Sequence, residues 1–193
     1  MKRITAIVAL MLCMCMVSEA KLVLSSLCSD GMVLQQNDNA TVWGTADPGS
    51  QITVTPSWSG RSYSAKAGKD GRWTVKVATP QGSYKAYTMT VKGNGETIRI
   101  KDILVGEVWL ASGQSNMEMP MRGFYNCPVE DALEYISAPA ATEKIRMFTV
   151  PVKQSYEPLS EVDSRWQGAE SSTIPDMSAT AYFFARKLNE TLD

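Results

Sequence analysis

Hydrophobic and polar residues alternate along the chain from residue 22 to residue 100, a pattern typical of half-buried β-strands. Turn-forming residues separate the alternating runs at positions 30–31, 47–50, 70–71 and 93–95. The pair Asn94-Gly95 suits a type I′ hairpin, because both residues tolerate a positive φ. Short strands at this spacing predict an antiparallel β-sandwich over residues 21 to 101. The alternating positions are Ile52 and Val54; Trp73, Val75 and Val77; Tyr87, Met89 and Val91; and Ile98 and Ile100.

The pattern changes after Lys101, and residues 102 to 193 predict a second domain of the α/β class. Residues 105 to 111 are apolar enough for a buried strand, and residues 145 to 150 predict another strand that Pro151 ends. Residues 151 to 175 are expected to be irregular. A segment of this length holds two or three parallel strands, fewer than an open α/β sheet usually needs. We therefore expect this domain to be incomplete.

Two helices are predicted in the same region from the spacing of their apolar residues. The first covers residues 128 to 136, with Pro128 as its first residue and with Val129, Leu133 and Ile136 on one face. The second runs to the end of the sequence. Its apolar stripe consists of Met177, Ala181, Phe184, Ala185, Leu188 and Leu192.

Residues 1 to 20 have the organisation of a secretory signal peptide. Lys2 and Arg3 precede an apolar run from residue 4 to residue 17, and Ser18-Glu19-Ala20 offers small residues for cleavage after Ala20. The apolar run is short for a transmembrane helix. We expect a secreted or periplasmic protein that is not attached to a membrane after cleavage.

The composition of the sequence excludes several classes of partner and catalytic site. With 19 basic and 20 acidic residues the formal net charge is −1, which argues against a nucleic-acid partner. The sequence has no histidine, so it can form neither a Ser-His pair nor a histidine-ligated metal site by itself. No cofactor or metal is expected. Cys28 and Cys127 remain after cleavage; export permits a disulfide between them, although two separate buried thiols are favoured.

Candidate functional residues are few. Gly113-Gln114-Ser115 follows the predicted strand at 105 to 111, the place where α/β enzymes expose reacting groups. The pattern Gly-x-Ser is common, however, and Gly60-Arg61-Ser62 also matches it. Five aromatic residues in the predicted sandwich form either a sugar-stacking face or part of the ordinary core. They are Trp43, Trp58, Trp73, Tyr84 and Tyr87. The acidic residues Glu118, Glu130, Asp131 and Glu134 are interpreted as a solvated helix face.

A longer resemblance strengthens the first of these candidates. Residues 106 to 120, GEVWLASGQSNMEMP, resemble the nucleophile block of the sialate O-acetylesterases, which belong to the SGNH group of serine esterases. The segments DGMVLQQ at 30 to 36, VWG at 42 to 44, GRW at 71 to 73 and SATAYFFARKL at 178 to 188 also resemble that family. The resemblance implies a β-sandwich domain followed by the N-terminal part of an SGNH esterase domain with a flavodoxin-like α/β fold.

Within that family the resemblance implies a role for three residues. Ser115 is expected to be the catalytic nucleophile that removes acetyl groups from an O-acetylated sugar, either sialic acid or a plant or mucin glycan. Its backbone N–H is expected to be one oxyanion donor, and Gln114 and Asn116 are expected to shape the binding pocket. The family's catalytic histidine and acidic residue lie in later blocks that this sequence does not contain. We therefore expect a fragment that is inactive by itself; the alternative is a non-catalytic carbohydrate-binding protein that uses its β-sandwich.

Overall fold

The computed structural model describes residues 21 to 139 and 144 to 192. The predicted signal peptide at residues 1 to 20 lies outside the described residues. Within the described part of the chain, no helix is both long enough and apolar enough to cross a membrane.

Eight strands form the first part of the chain, and each alternating run of the sequence lies in one of them. The buried and exposed residues of the sixth strand alternate without exception, as its sequence RWTVKVA predicts. The strands are β1 (Val23–Leu24), β2 (Val33–Gln35), β3 (Asn39–Thr45), β4 (Gln51–Pro56), β5 (Tyr63–Lys66), β6 (Arg72–Ala78), β7 (Ser83–Gly93) and β8 (Glu96–Gly106).

The eight strands form two sheets. One has the order β1-β3-β6, and the other has the order β2-β8-β7-β4-β5. All pairs are antiparallel except β2 and β8, which run parallel, so the prediction of a purely antiparallel arrangement is wrong at β2. Alternation along one strand does not determine the direction of its neighbour. The predicted turn between β7 and β8 is confirmed, since Asn94 and Gly95 both have a positive φ.

The two sheets share one hydrophobic core. Val42 and Trp73 from the smaller sheet contact the same cluster as Ile52, Val91 and Ile100 from the larger sheet. Each side chain of this kind contributes about 1.5–3 kcal/mol when it is fully removed from water. Burial between the two sheets therefore stabilises this part of the chain.

The remaining elements form a smaller unit with its own buried cluster. They are α1 (Ser115–Glu118), α2 (Ala132–Ser137), β9 (Arg146–Phe148), β10 (Trp166–Gly168), a 3₁₀ turn (Ile174–Asp176) and α3 (Ala179–Leu192). The cluster contains Met121, Ile174, Met177 and Tyr182, all almost completely buried. β9 and β10 pair antiparallel, so the prediction of parallel strands is wrong for this pair. The segment expected to be irregular contains β10.

The predicted buried strand at residues 105 to 111 is also wrong beyond its first two residues. β8 ends at Gly106, and the residues that follow it are exposed, with Leu110 at 94% exposure. Among the described residues, no strand lies beside residues 107 to 111. A strand requires a neighbour to accept its backbone hydrogen bonds, and an apolar run alone does not supply one.

Both predicted helices exist with altered limits. α2 begins at Ala132 and not at Pro128, because Asp131 before it has a left-handed backbone with a φ of 56°. Leu133 is 79% exposed, so the predicted apolar face is wrong at that position. α3 buries Ala179 and Tyr182, whereas Phe184 and Leu192 from the predicted stripe are exposed. The buried face of α3 is thus rotated from the predicted one.

Cys28 and Cys127, the two cysteines among residues 21–139 and 144–192, are separate and reduced. Cys28 is buried in the core between the sheets, and Cys127 is exposed. The favoured prediction of two separate thiols is confirmed, but the expectation that both are buried is wrong for Cys127. Cys127 lies in a surface turn in which its backbone N–H donates to the carbonyl of Phe124, 3.0 Å away.

Polar contacts join the two parts of the chain. The indole N–H of Trp166 donates to the carbonyl of Leu27 at 2.9 Å. The Ser26 hydroxyl donates to the carbonyl of Val162 at 2.8 Å. Arg146 forms an ion pair of 3.0 Å with Asp102, which follows the predicted domain boundary at 101. The smaller unit is therefore held against the sheets by contacts from both strands and loops.

Candidate functional site

Ser115 is the first residue of α1, the one-turn helix that follows the exposed segment 107 to 114. The carbonyl of Gln114 accepts hydrogen bonds from the backbone N–H groups of Met117 at 2.9 Å and Glu118 at 3.0 Å. Gln114, Ser115 and Asn116 are all exposed. Among the described residues, the Ser115 hydroxyl has no hydrogen-bond partner. The sequence-predicted site residues therefore lie side by side at the surface, where a solute can reach the hydroxyl.

The start of α3 fixes this turn in place. The backbone N–H of Ala179 donates to the carbonyl of Met119 at 2.8 Å, and the Thr180 hydroxyl donates to the carbonyl of Asn116 at 2.9 Å. The Ser178 hydroxyl lies 3.4 Å from the sulfur of Met117. Asn116, Met117 and Met119 are thus contacted by Ser178 and by the first two residues of α3. The position of Ser115 is thus set by a segment more than 60 positions later in the sequence.

Buried side chains also hold the residues after α1 against those before and within α3. Met121 follows α1 and is completely buried with Ile174, Met177 and Tyr182. Its backbone N–H donates to the carbonyl of Met177 at 2.9 Å. Ser178 and Thr180 have no role predicted from the sequence; they belong to a segment that resembles the family and lie between Met177 and Ala181 of the predicted apolar stripe. Nothing in their local pattern indicates a contact with residues 116 to 119.

The five aromatic residues considered for sugar stacking do not form one exposed surface. Trp73 is 2% exposed and belongs to the core between the sheets. Trp43, Trp58 and Tyr87 are half-buried against the same core, and Trp58 meets Tyr87 edge to face. Tyr84 is exposed. The arrangement agrees with the core-packing interpretation of these residues.

The acidic residues near the site face solvent. Glu118, Glu130, Asp131 and Glu134 are all exposed. Within residues 21–139 and 144–192, no three Cys, Asp or Glu side chains are grouped so that they could hold a metal ion. The interpretation as a solvated surface agrees with their exposure.

A cleft of about 270 Å³ lies elsewhere, between the two parts of the chain. Trp166 and the Arg146–Asp102 ion pair form part of its wall, together with Asp30, Lys101 and Glu170. Ser115 does not line this cleft. The exposed serine and the concave surface are therefore separate features of the described structure.

Comparison with known proteins identifies relatives of the chain. No protein-family model matches it. It is 32% identical over 177 residues to the sialate O-acetylesterase of Mus musculus, an alignment that covers 83% of this chain and 32% of the mouse protein. It is also 32% identical over 185 residues to the sialate O-acetylesterase of Homo sapiens, which covers 87% of this chain and 34% of the human protein. The chain thus spans about a third of the length of these curated relatives.

A solved structure agrees with these relatives. The fold is similar to the crystal structure of a carbohydrate acetylesterase from Xanthomonas citri, with a TM-score of 0.79 and 31% sequence identity. The match covers 89% of this chain and 38% of that protein. The resemblance drawn from residues 106 to 120 is confirmed, and the chain is a relative of the sialate O-acetylesterases.

Proposed function

We propose that the protein is a carbohydrate O-acetylesterase in which Ser115 is the nucleophile. The observation that carries this proposal is the exposed hydroxyl of Ser115, which has no hydrogen-bond partner among residues 21–139 and 144–192, on a turn that α3 holds in place. The esterase names of the relatives support the reaction class. In this proposal residues 21 to 101 form a β-sandwich domain, and residues 102 to 193 belong to an SGNH-type esterase domain.

The chemistry of the proposed reaction has two steps. The Ser115 oxygen attacks the carbonyl carbon of a sugar acetate, a base takes the hydroxyl proton, and the sugar oxygen leaves with a proton. Water then hydrolyses the acetyl-serine, which releases acetate and restores Ser115. Backbone N–H groups at the turn, including that of Ser115, are suited to stabilise the negative oxygen that forms in each step.

The base in this proposal comes from outside these 193 residues. Serine is a weak nucleophile unless an adjacent group removes its proton, and the sequence contains no histidine. The alignments cover only about a third of the curated relatives. We propose that additional polypeptide supplies a histidine and its acidic partner, and that the 193 residues do not turn over substrate without them.

The substrate class in this proposal is an O-acetylated sugar, either an acetylated sialic acid or an acetylated plant or mucin glycan. Gln114 and Asn116 flank the nucleophile and are proposed to contact the substrate beside the acetyl group. The protein is proposed to act after export, following removal of residues 1 to 20. The names of the relatives support a carbohydrate ester as the substrate class. An assay that compares acetate release from each acetylated sugar identifies which one is the substrate.

The decisive variant is Ser115→Ala in the native full-length protein. We expect acetate release from O-acetylated sialic acid to fall by about 10³-fold or more, because removal of a catalytic serine leaves only binding and electrostatic effects. Acetate is measured after incubation with the purified protein.

The matched control is Ser62→Ala, because Ser62 is the serine of the second Gly-x-Ser sequence and is also exposed. In the described part of the chain, the one hydrogen-bond partner of its hydroxyl is the Thr55 hydroxyl, 2.9 Å away. We expect its activity to equal that of the wild type. Equal activity of wild type and Ser115→Ala would contradict the proposal, and sugar binding without hydrolysis would favour the carbohydrate-binding alternative.

A further inference from the structure

The segment that leads from β8 to Ser115 leaves the larger sheet where the pairing of β8 with β2 ends. β2 and β8 run parallel, and the last residue pair in register is Gln35 with Gly106. β2 ends there and the chain turns away at Asn37, which has a φ of 50°. The backbone beyond Gly106 therefore has no further strand residue of β2 to pair with.

Beyond the end of β2, the side chains of two glutamines form hydrogen bonds with the residues that follow β8. The carbonyl oxygen of the Gln35 side chain accepts the backbone N–H of Val108 at 2.9 Å. The amide nitrogen of Gln35 donates to one oxygen of the Glu107 carboxylate at 3.2 Å, and that of Gln36 donates to the other at 2.6 Å. Gln35 thus continues the hydrogen bonding of the sheet by about one residue past the end of β2. We call Gln35, Gln36 and Glu107 the glutamine clamp.

The clamp is also attached to the start of β7. The side-chain oxygen of Gln36 accepts the backbone N–H of Gly82 at 2.7 Å. A Cβ atom at position 82 would lie 3.0 Å from that oxygen and 3.2 Å from the carbonyl of Val105, so glycine permits this close approach. Gln36 therefore links three segments, β2, the residue before β7 and the residue after β8.

The segment that the clamp holds has few other attachments. Between Glu107 and Ser115 the chain is exposed, and Trp109 meets Phe184 of α3 edge to face with ring centroids 5.3 Å apart.

The negative charge on the Glu107 carboxylate strengthens the hydrogen bonds of the clamp. Hydrogen bonds from Gln36 and then Gln35 lower the pKa of Glu107, so its carboxylate is ionised at neutral pH and accepts both bonds.

We propose that the glutamine clamp is a positioning device that fixes the direction in which residues 107 to 114 leave the sheet, and thereby the placement of Ser115. This inference rests on the proposed esterase function of Ser115. Gln35, Gln36 and Glu107 are positioning residues, since they act through the segment and not on the substrate. A small displacement of a catalytic group is enough to slow a reaction strongly.

The test combines hydrogen exchange with kinetics on the native full-length protein. In Gln35→Leu the Val108 amide loses its acceptor, so exchange in the peptide covering residues 107 to 114 is expected to become faster. We expect kcat to fall by about 10-fold or more while KM changes by less than about 2-fold, because alignment is lost and substrate contacts are kept. Glu107→Gln keeps one acceptor oxygen and is expected to fall between the wild type and Gln35→Leu.

Matched controls are Gln154→Leu and Glu130→Gln, two exposed residues outside the clamp. Both are expected to keep wild-type exchange and kinetics. Thermal melting establishes that each variant is folded, and Glu107→Gln serves as the test if Gln35→Leu unfolds.

Each outcome distinguishes the clamp from the esterase proposal. Unchanged exchange in the clamp variants, or faster exchange with unchanged kcat, would overturn the clamp while wild-type activity upheld the esterase. A wild-type protein without activity would overturn the esterase proposal and the positioning role with it. Faster exchange together with a selective loss of kcat supports both.

Discussion

At the scale of single residues, burial gives the two cysteines opposite chemical behaviour. Cys28 lies in the core, and burial raises the pKa of its thiol from 9.0 to about 11. Cys127 is exposed in a surface turn. Because the thiolate is the reactive form, burial and the raised pKa both oppose reaction at Cys28, whereas Cys127 is accessible to a reagent.

We predict that iodoacetamide modifies Cys127 and not Cys28 in the folded protein at pH 8. Cys28 becomes reactive only after unfolding in denaturant, and peptide mass spectrometry locates each modification. The raised pKa of Cys28 also contributes stability that is fully present below pH 9.0 and is lost as the pH rises toward about 11. For the labelling experiment, equal rates for the two thiols in the folded protein would contradict the buried position of Cys28.

Residue roles were only partly accessible from the sequence. Ser115 could be singled out because fifteen consecutive residues around it resemble a known nucleophile block. The partners that fix it could not, since Gln36 and Glu107 are 71 positions apart and Asn116 and Thr180 are 64 apart. Such contacts depend on which strands become neighbours, and no local pattern encodes that.

At the scale of elements, Gly44 shows how closely β1 and β3 approach each other. Gly44 pairs with Leu24 of β1 and with Trp73 of β6. A Cβ atom at this position would overlap the carbonyl oxygen of Val23 and lie 3.0 Å from the Cα of Leu24. Both contacts are with backbone, so β1 itself has to move to admit a side chain.

We predict that Gly44→Ala lowers the free energy of unfolding by about 2 kcal/mol, the usual cost of a side chain forced into a filled space. Chemical denaturation of the wild type and the variant measures the change. Gly106→Ala is the control, because a Cβ there meets no atom within 4 Å, and we expect a change within about 0.5 kcal/mol. Equal effects of the two substitutions would contradict the close approach of β1 to β3.

Strand positions could be predicted where each strand has one buried face. β4 and β6 follow the alternation of their sequences, because their inward residues pack in the shared core. The prediction failed at residues 107 to 111, where an apolar run has no neighbouring strand among the described residues. It also failed at the start of α2, because helical spacing does not reveal the left-handed backbone of Asp131.

At the scale of the whole molecule, two buried clusters are joined by polar contacts. One cluster lies between the sheets, and the other contains Met121, which follows α1, together with Tyr182 of α3. Trp166 reaches from β10 to the loop after β1, and Arg146 on β9 pairs with Asp102 on β8. The glutamine clamp adds another connection, from β2 to the segment that carries Ser115. The sheets thereby set the direction of the proposed catalytic segment.

The most direct test of the account is to trap the acetyl group on Ser115. The native full-length protein is mixed with an O-acetylated sugar, quenched in acid and digested, and the peptide that contains Ser112 and Ser115 is fragmented in a mass spectrometer. The account predicts the added mass of one acetyl group on Ser115, and its absence from Ser112 and from Ser62. Acetate release with the acetyl group on another residue, or with no acetyl-serine in repeated rapid quenches, would contradict Ser115 as the nucleophile.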